Sequence, residues 1–242
     1  MKNKIIENIK TIFYALFIAL IIRSLLFQPF YIPSSSMEPN LLVGDRLFVS
    51  KYTYGYSRHS LPFSPNIFDG RVFSKKLFRG DIIVFKTPAD NRTDYIKRLI
   101  GLPGDTVQII NEELYINNEI VSKKLIESNL EINCGQESFK ANLFRETLPN
   151  GTKHNSVYRM VGAMKNTDKY TVPKNKYFFM GDNRDCSKDS RFLSSVGYVS
   201  NDNIIGKARV IFFSTDKKQG SIFKFWKLNK IVRWDRMFNK IK

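Results

Sequence analysis

An apolar run near the N-terminus divides this chain into two parts with different surroundings. Residues 11–27 read TIFYALFIALIIRSLLF, in which only Thr11, Arg23 and Ser24 are polar. A helix of this length spans about 25 Å at roughly 1.5 Å per residue, which approaches the thickness of the hydrocarbon core of a bilayer. We therefore expect a short N-terminus at 1–10, a transmembrane anchor at 11–28 and a folded part that begins at 29.

The same run also fits a cleavable secretory peptide, with 12–22 as its apolar region. Arg23 and the bulky residues at 25–27 lie where a small-residue cleavage site would follow, which favours an uncleaved anchor. Three lysines precede the run, and positive charge tends to stay on the cytoplasmic side, whereas a long domain crosses largely regardless of its charge. The sequence thus predicts a single-pass protein with a cytoplasmic N-terminus.

Beyond the anchor, the chain changes to short runs of β-branched and aromatic residues bounded by Gly, Pro, Asn or Asp. No helical period of useful length lies between residues 30 and 215. Turns are predicted at 103–105, at Asn117-Asn118, where Asn tolerates positive φ, and at Asn150-Gly151. The fold class is therefore mostly β. Strands are predicted at 46–50, 81–86, 107–110, 114–116, 119–121, 177–180 and 208–214.

The folded part divides into a main β-domain at 29–220 and a different C-terminal segment. Within the domain, residues 121–172 are polar and carry no chemical motif, so they predict a smaller, peripheral inserted β lobe without a part in function. Residues 221–242 alternate basic with apolar and aromatic residues every three or four positions, which predicts a basic amphipathic helix. Such a helix suits an anionic membrane surface, and packing on the β-domain fits the pattern equally well.

Composition excludes several kinds of site. His59 and His154, the two histidines, read as loop residues and are too few for a His-rich metal centre. Cys134 and Cys186 are too few for a disulfide scaffold or a four-cysteine zinc site, although one bridge between them stays open. No metal and no cofactor are expected. The net charge of +17 is assigned to anionic lipid, because the chain offers no stacking motif or recognition helix for nucleic acid.

Two segments carry residues suited to nucleophilic catalysis. A serine run, Ser34 to Ser36, follows the anchor, and Lys97 lies in the mostly apolar stretch at 95–101. A serine needs a group that accepts its proton, and a lysine in an apolar place can do this because desolvation lowers its pKa. The ordinary alternatives are a capped loop, since Ser35 and Glu38 have capping-box spacing, and a half-exposed strand with solvated charges.

A third segment, residues 180–191, packs acids, bases and hydroxyls behind the apolar strand at 177–180. Acidic spacing of this kind is typical of calcium loops, but the interleaved arginines and lysine would repel a cation. An internal salt-bridge loop that holds a site in place is the better interpretation.

Together these segments resemble the bacterial type I signal peptidases, which are membrane-bound Ser/Lys proteases. The resemblance rests on four blocks between residues 30 and 191, which are jointly specific. The blocks are Ile32-Pro33-Ser34-Ser35-Ser36-Met37 with Pro39; Arg79-Gly80-Asp81 with 82–85; Tyr95-Ile96-Lys97-Arg98 with 101–105; and Gly181-Asp182-Asn183-Arg184-Asp185 with Ser187, Asp189, Ser190 and Arg191.

The resemblance implies a protein that removes signal peptides from exported preproteins at the outer face of the inner membrane, without a cofactor. It implies Ser36 as nucleophile, Lys97 as general base, and an oxyanion hole formed by the Ser34 hydroxyl and the Ser36 backbone N–H. Ser187 would orient the lysine amine. The supporting salt-bridge loop would comprise Asp182, Arg184, Asp189 and Arg191, with Asp182 near Arg98. Substrate pockets would be lined by Phe30, Ile32, Pro33, Met37, Leu41, Leu47, Val84, Tyr95 and Ile96, some of which could be plain core.

The chain departs from this family at a few positions. Ser35 stands where glycine is common, and Cys186 stands where asparagine is common, which raises a thiol-sensitive site without other support. One anchor is expected where some relatives have two. The rival interpretations are a soluble, self-cleaving repressor-type Ser/Lys peptidase, which would lack the anchor, and a membrane-tethered module that binds lipid or nucleic acid.

Overall fold

The computed structural model describes residues 2–216, 226 and 228–241. Its first element is helix α1, Lys2–Ile21, which continues into a wider turn at Ile22–Leu26. By length and composition, Lys4–Leu26 could cross a membrane. Its mean hydropathy is 2.0, and the rest of the chain covers very few of its residues. The helix begins earlier than the predicted anchor, because the polar residues before Thr11 continue the same helical backbone.

Strands dominate the rest of the described chain, as predicted. The strands are β1 Phe27–Tyr31, β2 Asp45–Ser50, β3 Ile82–Lys86, β4 Asp94–Gly101, β5 Thr106–Ile110, β6 Glu113–Ile116, β7 Glu119–Ile120, β8 Ser122–Cys134, β9 Glu137–Thr147, β10 Lys153–Arg159, β11 Tyr170–Thr171, β12 Lys176–Met180, β13 Val199–Ser200 and β14 Ile204–Ser214. The main sheet has seven strands in the order β1-β2-β14-β3-β4-β12-β13, and a second has the order β11-β5-β6-β7.

The predicted turns lie where the sequence places them. Asn117 and Asn118 join β6 to β7 with φ of 55° and 66°, the positive values that a two-residue hairpin of this kind needs. The turn at 103–105 joins β4 to β5 and is closed by a bond from the Asp105 N–H to the Leu102 carbonyl. Local turn chemistry therefore fixes the β6–β7 hairpin and the connection from β4 in the main sheet to β5 in the second sheet.

The inserted lobe is a three-stranded sheet in the order β10-β9-β8, built on the long β8–β9 hairpin. It spans 122–159, and the predicted end at 172 is too late, because β11 pairs with β5 in the second sheet. The expectation that the lobe is merely peripheral is also wrong. The Val157 N–H bonds to the Asp182 carbonyl and the Arg184 N–H to the Val157 carbonyl, so β10 lies directly against the loop after β12.

The C-terminal segment differs from the single amphipathic helix that its pattern predicts. Its described residues form a short helix α2, Leu228–Ile231, and a 3-10 turn at Trp234–Arg236. The Phe238 and Ile241 N–H groups bond to the carbonyls of Ile211 and Arg209 on β14, so those groups are not available for helical bonds. Ile231 is fully buried. The described part thus packs on the β-domain, while 217–225, 227 and 242 lie outside the described residues.

Candidate active site

Ser36 and Lys97 meet although 61 positions separate them in the chain. Ser36 lies in the turn that follows β1, and Lys97 lies on β4, where it pairs with Ile83 of β3 in the interior of the main sheet. The Lys97 Nζ–Ser36 Oγ distance is 2.6 Å, and Nζ also donates to the Ile96 carbonyl at 3.0 Å. The pair has the geometry that proton transfer from a serine hydroxyl to an amine requires.

Burial makes Lys97 a plausible proton acceptor near neutral pH. The side chain is 3% exposed, and desolvation lowers its pKa to about 8, against a weaker opposing effect of Asp189 and Asp182. The Tyr95 ring lies beside it, with its centroid 5.4 Å from Nζ. A measurable fraction of the amine is therefore neutral at pH 7, which an exposed lysine would not provide.

The neighbours of Ser36 fix its position in the turn. The Ser34 and Ser36 hydroxyl oxygens are 3.3 Å apart, and the Ser36 carbonyl accepts a bond from the Asn183 N–H at 3.2 Å. Gly181 makes this approach feasible, since a Cβ there would lie 2.4 Å from the Ser36 carbonyl oxygen and 2.2 Å from the Ser187 Oγ. Glycine is thus required at 181 by close packing.

Ser187 is placed differently from its expected role. It lies against Gly181, close to the Ser36 carbonyl, but among the described residues the hydrogen-bond partners of Lys97 Nζ are Ser36 and Ile96. The expected contact between the Ser187 hydroxyl and the lysine amine is therefore not formed in this structure.

A cavity of about 530 Å³ opens beside Ser36 and Lys97. Its walls come from the chain at 30–34 on one side and from the start of β4 on the other. Six of the nine expected pocket residues line it, namely Phe30, Ile32, Pro33, Val84, Tyr95 and Ile96. The expectation for Met37, Leu41 and Leu47 is wrong, because all three are fully buried in the core cluster beneath the cavity.

Behind the serine and lysine lies a set of buried ion pairs. Arg98 contacts Asp182 through two bonds of 2.7 and 2.8 Å. Burial alone would raise the pKa of Asp182, but the Arg98 guanidinium holds it below its ordinary value. The Asp189 carboxylate accepts bonds from Arg191 and from the Gly181 N–H at 2.9 Å. Burial alone would raise the pKa of Asp189, but Arg191 holds it below its ordinary value. The loop that follows β12 is therefore held by an ion pair near each end, Arg98 with Asp182 and Arg191 with Asp189.

Comparison with known proteins gives consistent relatives. A family model described as signal peptidase, peptidase S26, matches residues 5–213. The signal peptidase I of Rickettsia bellii strain OSU 85-389 is 41% identical over 250 residues, covering 96% of this chain and 84% of that protein. That of Rickettsia massiliae strain Mtu5 is 42% identical, covering 94% and 90%. The chain belongs to the signal peptidase family.

Membership of the signal peptidase family makes the chain a serine endopeptidase that cleaves signal peptides. The single apolar N-terminal helix is consistent with a single-pass membrane protein. A crystal structure of a signal peptidase I from Enterococcus faecalis V583 is 30% identical, covers 55% of this chain and 97% of that one, and has a TM-score of 0.33.

This signal peptidase also has buried supporting residues that the sequence analysis missed. Glu146 of β9 accepts bonds from Arg184 at 2.6 Å, Ser156 at 2.9 Å and the Tyr158 hydroxyl at 2.6 Å. His154 of β10 lies 3.3 Å from the Glu146 carboxylate and 3.9 Å from that of Asp182. The expectation that His154 is a loop residue is wrong, and so is that for His59, which is buried in a 3-10 turn at Arg58–Ser60.

A disulfide joins the inserted lobe to the loop behind Ser36 in this signal peptidase. Cys134, at the tip of the β8–β9 hairpin, is bonded to Cys186, the neighbour of Ser187. The Ser35 Oγ lies 3.3 Å from the Cys186 Sγ, so the bridge reaches the serine turn itself. The question that the sequence left open is thus resolved in favour of the bridge.

Proposed function

We propose that this signal peptidase works by a Ser/Lys dyad in which Ser36 is the nucleophile and Lys97 the general base. The observation that carries the proposal is the 2.6 Å contact between Lys97 Nζ and Ser36 Oγ at the floor of an open cavity. Desolvation of Lys97 supports it, because a neutral amine can accept the hydroxyl proton.

The acylation step follows from this geometry. The Lys97 amine takes the Ser36 proton, and the Oγ bonds to the scissile carbonyl carbon, which gives a tetrahedral oxyanion. The Ser34 hydroxyl, 3.3 Å from the Ser36 Oγ, and the Ser36 backbone N–H are the proposed donors to that oxygen. As the C–N bond breaks, the Lys97 ammonium gives its proton to the leaving amine, and an ester with Ser36 remains.

Deacylation uses the same groups in reverse. The neutral Lys97 amine removes a proton from water, and the resulting hydroxide attacks the ester carbonyl. The second tetrahedral intermediate collapses, the C–Oγ bond breaks, and Ser36 regains a proton from Lys97. No histidine is needed. The charges of Asp182 and Asp189 are proposed to hold the loop behind Ser36 in place.

The cavity is proposed to hold the residues before the scissile bond as an extended strand. It lies between the chain at 30–34 and the start of β4, so peptide groups are available on two sides. Phe30, Ile32 and Val84 give its walls an apolar character, which suits small side chains near the cut. Signal-peptide-bearing preproteins are the substrate class.

The anchor is proposed to place this cavity at the membrane. Lysines precede α1, so we assign the N-terminus to the cytoplasm and the β-domain to the outer face of the bacterial inner membrane. The domain division at 29–220 is part of the same proposal. For the described part of 221–242 we propose packing on the β-domain, which the burial of Ile231 supports.

The test compares cleavage of a preprotein by the full chain and its variants in detergent. Ser36→Ala and Lys97→Ala should each lower the rate by more than about a thousandfold. The matched control is Lys174→Ala, since Lys174 is an exposed lysine that does not line this cavity and should change the rate by less than about threefold. Wild-type cleavage by either dyad variant would refute the mechanism.

A further inference from the structure

A second cavity, of about 500 Å³, lies where the membrane-length span Lys4–Leu26 ends and the β-domain begins. Cationic side chains from four separate parts of the chain line it. They are Arg23, Lys51, Arg58, Lys86 and Arg92. The carboxylates in its lining are Asp90 and Asp94, so the cavity carries a net positive charge, and Asp94 also borders the cavity beside Ser36.

Most of this charge has no carboxylate partner in the described part of the chain. Asp94 is paired with Lys86 at 2.7 Å, and Asp90 accepts bonds from Thr93 and from the Arg92 N–H. Arg23, Arg58 and Arg92 form no ion pair with any described residue. The cavity therefore offers several cationic groups to an anion from outside the protein.

Two residues that line this cavity, Lys51 and His59, are buried, so the cavity is more than a cluster of surface arginines. Lys51 is 1% exposed and its ammonium donates to the Ser60 carbonyl, yet no described carboxylate pairs with it. Burial and the nearby Arg23 lower its pKa to about 8. His59 is 5% exposed, and its Nδ1 has no hydrogen-bond partner among the described residues. An anionic ligand would compensate both groups.

The surroundings indicate the source of such an anion. The Tyr56 hydroxyl donates to the Leu25 carbonyl at 2.9 Å, so the loop that follows Lys51 is held against the end of the apolar span. This loop exposes large apolar side chains to an unusual degree, including Phe63, Ile67, Phe73 and Phe78. Exposed aromatic residues beside cations are typical of surfaces that lie at the level of lipid headgroups.

We propose that this cavity binds the phosphate of an anionic glycerophospholipid, with Arg58 and Arg92 as accessible ligands and Lys51 as the buried cation at its floor. The acyl chains would extend along the exposed apolar residues of the loop toward α1. Because the cavity shares Asp94 with the cavity beside Ser36, the bound lipid would also form part of the border of the substrate cleft. The site is independent of the Ser36 and Lys97 chemistry.

The test uses the full chain in a neutral detergent, with short-chain phosphatidylglycerol as the probe and native mass spectrometry as the readout. Phosphatidylglycerol should bind at least about tenfold more tightly than phosphatidylcholine of the same chain length, since each cation near an anionic lipid contributes about fivefold. The double variant Arg58→Gln with Arg92→Gln should lower that affinity by roughly tenfold or more. Lys174→Gln, an exposed lysine that lines neither cavity, is the matched control and should leave it unchanged.

Four outcomes would overturn the proposal. The first two are equal affinity for the two lipids and unchanged phosphatidylglycerol affinity in a double variant whose melting temperature and circular dichroism match the wild type. The third is that soluble glycerol phosphate displaces phosphatidylglycerol as well as unlabelled phosphatidylglycerol does, which would assign the cavity to a free phosphate compound. The fourth is a double variant with a raised KM for preprotein and an intact affinity for phosphatidylglycerol, which would assign the cavity to the substrate peptide.

Discussion

Arg184 and Glu146 form a buried ion pair, with Nη2 2.6 Å from Oε2 and each side chain 1% exposed. Arg184 belongs to the loop behind Ser36, and Glu146 belongs to the inserted lobe. Burial alone would raise the pKa of Glu146, but the Arg184 guanidinium holds it well below its ordinary value. The lobe is therefore part of the support of the loop behind Ser36 and not an appendage.

Removing one member of this pair should destabilise the protein strongly. Glu146→Gln leaves the Arg184 charge buried without its partner, which typically costs about 3–5 kcal/mol. Urea unfolding would measure the loss. Glu137→Gln is the control, because its pair with Arg159 is exposed and such pairs contribute within about 1 kcal/mol. Equal effects of the two substitutions would contradict the structural role of Glu146.

The pH dependence of cleavage should follow the Lys97 amine. Its pKa is about 8, and only the neutral form accepts the Ser36 proton. The value of kcat/KM should therefore rise about tenfold per pH unit below about pH 7 and become level above about pH 8. Stopped assays between pH 5.5 and 9.5 would measure the profile. A rate that stays constant from pH 6 to 8 would rule out Lys97 as the titrating base.

Ser34→Ala should impair catalysis without abolishing it. Loss of one oxyanion donor costs about 100-fold to 1000-fold in kcat, whereas substrate binding in the ground state needs that donor less. The expected result is a lower kcat with a KM within about threefold of the wild type. Ser34→Thr keeps the hydroxyl and should recover part of the rate. If the Ser34 hydroxyl had no catalytic role, Ser34→Ala and Ser34→Thr would have the same kcat as each other.

The disulfide should stabilise the fold and the serine turn together. Cys134 and Cys186 are 52 residues apart, and closing a loop of this size contributes about 4 kcal/mol by the chain-entropy model. Cys134→Ser, Cys186→Ser and the double variant should therefore share nearly the same lowered melting temperature. Alkylation of the unfolded protein before and after reduction, followed by mass measurement, checks the bond. Two free thiols before reduction would disprove it.

Local patterns in the sequence were sufficient for much of this architecture. Seven strands, namely β2, β3, β5, β6, β7, β12 and β14, were predictable because short runs of β-branched and aromatic residues are bounded there by turn formers, as Asn117 and Asn118 show. The apolar run that ends at Phe27 was recognisable as long and apolar enough to cross a membrane, because that property depends on length and composition alone. Ser36 and Lys97 were found through motif resemblance, because residue types and the order of the motifs can be read directly from the sequence.

The tertiary structure decided the contacts between residues that lie far apart in the chain. No local signal connects Glu146 with Arg184, which are 38 positions apart, or Cys134 with Cys186. Met37 and Phe30 were both expected to line the substrate cavity, yet Met37 is fully buried in the core and Phe30 lines the cavity. The sequence determines which side chains are available and which segments become strands. Burial, and with it the pKa of Lys97 and the charge left unpaired around Lys51, depends on which segments pack together, and only the folded chain fixes that.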